Sequence, residues 1–126
     1  GSGAFSWAII NGDKGCGVTL HELDVDIDTG PIIAVAQFTV EPWDTAASLF
    51  EKGMDRLYAL FQHWFPLMLA GQYRSVLQDI AKAHTYYRKD LVAAMDLTRY
   101  VRAFTFEGKP PAFYLDRNGM RHNLEW

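Results

Sequence analysis

The opening run Ala4-Phe5-Ser6-Trp7-Ala8-Ile9-Ile10 is apolar enough for a short buried helix, and Asn11-Gly12-Asp13-Lys14-Gly15 lengthens its stop into a whole turn. Val18 to Leu23 predicts a strand. From Leu20 the alternation is strict: Glu22, Asp24, Asp26 and Asp28 share one parity, and His21, Leu23, Val25 and Ile27 the other. A strand continued to Asp28 would line four carboxylates along one face and repel itself, so the strand is expected to end near Leu23 and give way to a shaped loop. Thr29-Gly30-Pro31 turns the chain, and Ile32 to Val40 predicts a second strand, largely buried in its first half.

Pro42, with Asp44 as N-cap, opens the strongest helical pattern. Ala47, Phe50, Met54, Leu57, Tyr58, Phe61, Trp64, Phe65 and Met68 step by three and four, which predicts one wide stripe facing a core. Pro66 should kink or end this helix, and Gly71 offers a further stop. Val76, Leu77 and Ile80 suggest a short helical turn, and Thr85-Tyr86-Tyr87 a short strand. Asp96 can cap a helix from Leu97 to about Phe104, broken by Gly108-Lys109-Pro110-Pro111. Asn118-Gly119, between the apolar-rich runs Ala112 to Leu115 and Met120 to Leu124, signals a hairpin.

Composition narrows the function. The 126 residues carry 12 Lys and Arg against 15 Asp and Glu, a net charge of −3, and without the four acids of the 22–28 run the remainder sits at +1. The acidity is therefore local. A pI near 5.7 argues against a nucleic-acid footprint. No apolar run approaches the roughly 18 residues of a membrane span, and no signal peptide is evident. The single cysteine, Cys16, forms no internal disulfide and fits a reducing compartment, so a cytosolic protein is expected. Gly1-Ser2-Gly3 reads as an expression scar.

The acidic loop admits three readings. Counted from Asp24 as a calcium loop, its sixth position is Thr29 and its twelfth Val35 instead of the Gly and Glu that such loops need, so no metal is expected. A solvated turn is the plain alternative. A catalytic reading needs a carboxylate whose pKa is raised by crowding, and Asp28, next to the tight turn, is the natural candidate. His21 is either close by or a satisfied packing residue.

Three strings in order, Trp7-Ala8-Ile9-Ile10-Asn11-Gly12, Gly17-Val18-Thr19-Leu20-His21 and Asp26-Ile27-Asp28-Thr29-Gly30-Pro31-Ile32-Ile33, followed by Asp44-Thr45-Ala46, resemble the second half of the folate-dependent formyltransferases over roughly residues 4 to 70. That family includes the methionyl-tRNA, glycinamide ribonucleotide and nucleotide-sugar N-formyltransferases. The resemblance implies an α/β fold: the C-terminal half of a formyltransferase-like domain over 4–83, with mixed-sheet strands and a long amphipathic helix, then a helix-and-hairpin tail over 84–126. It implies that a formyl group moves from N10-formyltetrahydrofolate to an amine through a tetrahedral intermediate, served by an Asn, a His and an Asp.

The matching Asp is Asp28. His21, Leu23, Asp24, Val25 and Asp26 match the side of the folate pocket. The family's Asn-x-His pair would lie where Gly1-Ser2-Gly3 stand, so the 126 residues alone are expected to be inactive. Tyr86-Tyr87-Arg88-Lys89, Val101-Arg102-Ala103-Phe104-Thr105-Phe106 and Pro110-Pro111-Ala112-Phe113-Tyr114 resemble the tail of the nucleotide-sugar branch, which serves bacterial surface polysaccharide such as lipopolysaccharide. The resemblance therefore implies folate and a nucleotide-linked amino sugar as partners, no nucleic acid or membrane, and a homodimer paired through the hairpin. The alternatives are a non-catalytic binding or oligomerisation module and a fragment of a methionyl-tRNA formyltransferase-like enzyme. Arg88, Lys89 and Arg102 are read as surface charge or structural ion pairs in preference to phosphate ligands.

Overall fold

A computed structural model describes residues 3–87, 91 and 96–126. Its elements are α1 (Ala4–Asn11), β1 (Gly15–His21), β2 (Ile32–Thr39), α2 (Ala46–Leu69), a 3-10 turn (Ile80–Lys82), α3 (Leu97–Ala103), β3 (Ala112–Leu115) and β4 (Arg121–Leu124). The chain is mixed α/β with two two-stranded sheets, β1 with β2 and β3 with β4. It divides into two compact units, one of residues 17–38 and 52–85, the other of the described residues within 2–16, 39–51 and 86–126. No helix among the described residues is long and apolar enough to cross a membrane.

In the first unit, β1 and β2 run antiparallel: Gly17 lies against the Ala36 carbonyl, and the Glu22 N–H donates to Pro31 O at 2.9 Å. β1 starts three residues before the expected Val18 and stops at His21 instead of Leu23, and the loop beyond it is irregular, as charge repulsion requires. An isolated bridge lays Val76 beside Ile32, with N–H to O distances of 2.7 and 2.8 Å. This unit's core is thin: Val18 and Ile33 are its buried apolar residues among those described.

Helix α2 departs from expectation in its cap and in the exposure of its stripe. Its cap is Thr45 and not Asp44: Thr45 Oγ1 accepts from the Ser48 N–H at 3.2 Å, and Ser48 Oγ accepts from the Thr45 N–H at 3.0 Å, a reciprocal box with Ser in the usual Glu place. Pro66 does not end the helix: its carbonyl accepts from the Ala70 N–H at 3.1 Å, and the chain closes at the expected Gly71 through Gly71 N–H to Met68 O and Gln72 N–H to Leu67 O. The aromatic stripe is largely exposed. Ala46, Leu49 and Gly53 form the buried face, Phe50 meets Phe5 and Phe106 edge-on at 6.4 and 5.4 Å, and Met54, Tyr58, Phe61 and Phe65 are exposed. Helical period sets which residues share a face; burial also needs a surface to cover it.

In the second unit, Ala8, Ile9, Ala46, Leu49, Val101, Ala103 and Ala112 make the core, and α1 packs on α3. Asp96 caps α3, its Oδ1 accepting from the N–H groups of Thr98 at 2.8 Å and Arg99 at 3.4 Å. Tyr86 is not in a strand; it stacks on Trp7 at 4.6 Å and accepts from Asn11 Nδ2 at 3.1 Å. Arg102 is buried and not a surface charge: Nη1 donates to Asp44 O at 2.9 Å. Arg88 and Lys89 lie outside the described residues, as do Gly1 and Ser2. The hairpin pairs Ala112 with Leu124 and Leu115 with Arg121. Its loop is organised by Asp116, whose Oδ1 accepts from the N–H groups of Asn118 and Met120.

Candidate active site

The acidic loop is pinned at both ends. β1 delivers His21 to its start, where Nδ1 lies 2.7 Å from Glu22 O. A carbonyl oxygen only accepts, so Nδ1 carries the hydrogen and the neutral ring leaves Nε2 bare. Nε2 lies 3.9 Å from Asp28 Oδ1, too far for a hydrogen bond but close enough for an ion pair when the ring is protonated.

Asp28 closes the loop with φ of 58°, a left-handed conformation that Asp tolerates better than most residues because of its short polar side chain. Gly30 follows, and here glycine is required by space: an added Cβ would run into the Glu22 carbonyl. Across from this turn, Gln78 Nε2 donates to Asp28 O at 2.9 Å and Gly30 O at 2.6 Å. The Ile32–Val76 bridge brings Gln78 there. Nothing in the local pattern around Gln78 pointed to this role; its partners are 50 and 48 residues away.

Between these anchors the loop is open. Leu23, Val25 and Ile27 are 95%, 97% and 90% exposed, and Asp24 Oδ1 accepts from the Val25 N–H at 2.6 Å. Asp26 is exposed as well, so the residues matched to a folate pocket line the loop's solvent side. Thr29 Oγ1 is buried without a hydrogen-bond partner among the described residues. No group of three His, Cys, Asp or Glu side chains among the described residues converges as metal ligands. Chemically, the site offers one carboxylate in a fixed turn, an imidazole near it, and an exposed loop edge.

The formyl transferase family model matches residues 1–63, half of the chain. The chain belongs to the formyl transferase family. This formyl transferase chain is 30% identical over 113 residues to methionyl-tRNA formyltransferase of Myxococcus xanthus, a match covering 83% of this chain and 36% of that protein. It is 29% identical over 121 residues to GDP-perosamine N-formyltransferase of Brucella melitensis, covering 89% and 46%. The chain thus spans less than half the length of these curated relatives.

Among solved structures, a Mycobacterium tuberculosis protein described as a candidate sugar N-formyltransferase superposes with a TM-score of 0.81 at 26% identity, covering 99% of this chain and 58% of that one. The N-formyltransferase of Helicobacter canadensis, crystallised with folinic acid and dTDP-3-aminofucose, superposes with a TM-score of 0.72 at 26% identity, covering 82% and 42%. The formyl transferase match includes His21, the acidic loop and Asp28, and ends within α2.

Proposed function

We propose that this chain is the downstream part of an enzyme that transfers a formyl group from N10-formyltetrahydrofolate to the amine of a nucleotide-linked amino sugar, with Asp28 as the group that takes the amine proton. The observation that carries the reading is the fixed turn at Asp28: a left-handed backbone, a clamp from Gln78, and His21 Nε2 at 3.9 Å. As an amine nitrogen adds to a formyl carbon it becomes cationic and must shed a proton, and a carboxylate held in place accepts it. His21, Leu23, Asp24, Val25 and Asp26 form the folate side of the site. The exposed loop edge supports that assignment, as does the folinic acid in the Helicobacter canadensis relative.

The sugar branch is favoured over a tRNA acceptor because likeness to a candidate sugar N-formyltransferase covers 99% of this chain, tail included. In this reading 4–83 serve the chemistry and 84–126 the assembly, with two copies pairing through the β3–β4 hairpin, whose Tyr114, Leu115 and Met120 are exposed. The enzyme works in the cytosol on precursors of surface polysaccharide, and the Asn and His that stabilise the oxyanion come from a part of the protein other than these 126 residues, which contain no Asn-x-His.

The test is Asp28→Asn in the gene product that includes the Asn-x-His segment. Formyl transfer should fall by a factor on the order of 100 or more while folate affinity is retained. Unchanged turnover removes Asp28 from the chemistry. A native product with no such segment and no partner supplying it favours the non-catalytic module.

A further inference from the structure

The second unit holds a cleft lined by none of the residues assigned above to formyl transfer. The turn after α1, the end of β2 and α3 enclose about 440 Å³, and the charged lining is Asp13, Lys14, Glu41, Arg99 and Arg102. Three cations face two carboxylates, and Glu41 is already engaged, Thr39 Oγ1 donating to its Oε1 at 3.0 Å. The nearby Asp44 carboxylate is taken up by the Glu41 N–H at 2.8 Å and Ser48 Oγ at 2.7 Å.

Arg102 is 8% exposed; its Nη1 serves the carbonyls of Asp44 and Glu41, and its Nε is buried with no partner among the described residues. Arg99 lies over Gly12, where an added Cβ would sit 2.6 Å from Nη1, so glycine makes room for the guanidinium. The acid on its own helix, Asp96, is committed to capping. Neither Arg99 nor Lys14 forms an ion pair among the described residues.

We infer that this cleft binds a compact oxyanion, a phosphate or carboxylate group, with Lys14 and Arg99 as direct ligands and the buried Arg102 adding to the positive field. A guanidinium presents a fork of N–H donors that fits two oxygens of one anion, and an ammonium adds a point charge. In a concave, partly desolvated site such charges are screened less than on an open surface. Asp13 and Glu41 offset two of the three cations, which suits one small anion better than a polyanion.

The binding requires neither folate nor an amine, so it stands or falls separately from formyl transfer. Titration of the 15N-labelled 126-residue chain with inorganic phosphate, at ionic strength held constant with chloride, reads it out. Saturable shifts are expected at the amides of 12–14, 39–41 and 99–102. Lys14→Gln and Arg99→Gln should each weaken binding roughly tenfold, and Lys82→Gln, in the other unit, should leave it unchanged. A nucleoside diphosphate shifting the same amides more tightly than phosphate identifies a nucleotide source; acetate outcompeting phosphate identifies a carboxylate. Lys14 sits on an exposed turn, so Lys14→Gln keeps the test valid if Arg99→Gln unfolds. Shifts equal to those produced by chloride, or wild-type affinity in Lys14→Gln, overturn the site.

Discussion

At Asp28 the backbone φ of 58° is a conformation that costs a non-glycine residue on the order of 1 kcal/mol, and its neighbours hold it there. Gln78 is the main holder, since one amide satisfies the carbonyls on both sides of Thr29. Gln78→Ala should therefore loosen the turn by roughly 1 kcal/mol per lost bond. Amide exchange at 28–31 should accelerate while exchange in α1 and α3 stays as it was; unchanged protection at 28–31 means that the bridge at Val76 suffices alone. The same residue marks a limit of pattern reading. The turn at Asp28 was legible because Thr29-Gly30-Pro31 is a local signal, whereas Gln78 sits in a polar stretch whose meaning depends on a partner 50 residues back.

Elements carry the next set of lessons. Stop and cap chemistry proved readable at three places and not at the start of α2: α1 ends at Asn11-Gly12, Asp96 caps α3, and the hairpin forms around Asn118-Gly119. The hairpin loop also has a pH signature. The His122 ring, with Nε2 3.0 Å from Oδ2, and then the N–H groups of Met120 and Asn118 hold the Asp116 carboxyl below its usual 3.8. A carboxylate with a depressed folded pKa lends its stability above the unfolded value and loses it as pH falls through the lowered one. Hairpin resonances of Tyr114 and His122, whose rings stack at 4.9 Å, should thus show an acid transition below about pH 3.8 that Asp116→Asn abolishes. A transition that survives the substitution assigns it to another group. For α2, period predicted the helix but not its exposure: Met54, Tyr58, Phe61 and Phe65 are exposed, because a helix buries a face only where another surface meets it.

On the scale of the whole molecule, the 126 residues span less than half of the curated relatives, and the proposed role for them is one proton acceptor and one side of a folate site. Calorimetry of this chain with folinic acid should give weak or undetectable binding; tight binding would show that these residues carry the folate site unaided. The sequence by itself carried the family through its resemblance strings, and it determined the main helices and strands and the acidic loop with its tight turn, which rest on short-range spacing, on turn residues and on repulsion among neighbouring carboxylates. Tertiary structure alone decided that Gln78 clamps the Asp28 turn, that Arg102 is buried at a cleft with Arg99 and Lys14, that Tyr86 stacks on Trp7, and that the α2 stripe stays open. Each depends on which distant surfaces meet, and the free energy of burial or of a long-range hydrogen bond is set by that meeting and not by the residue's neighbours in the chain.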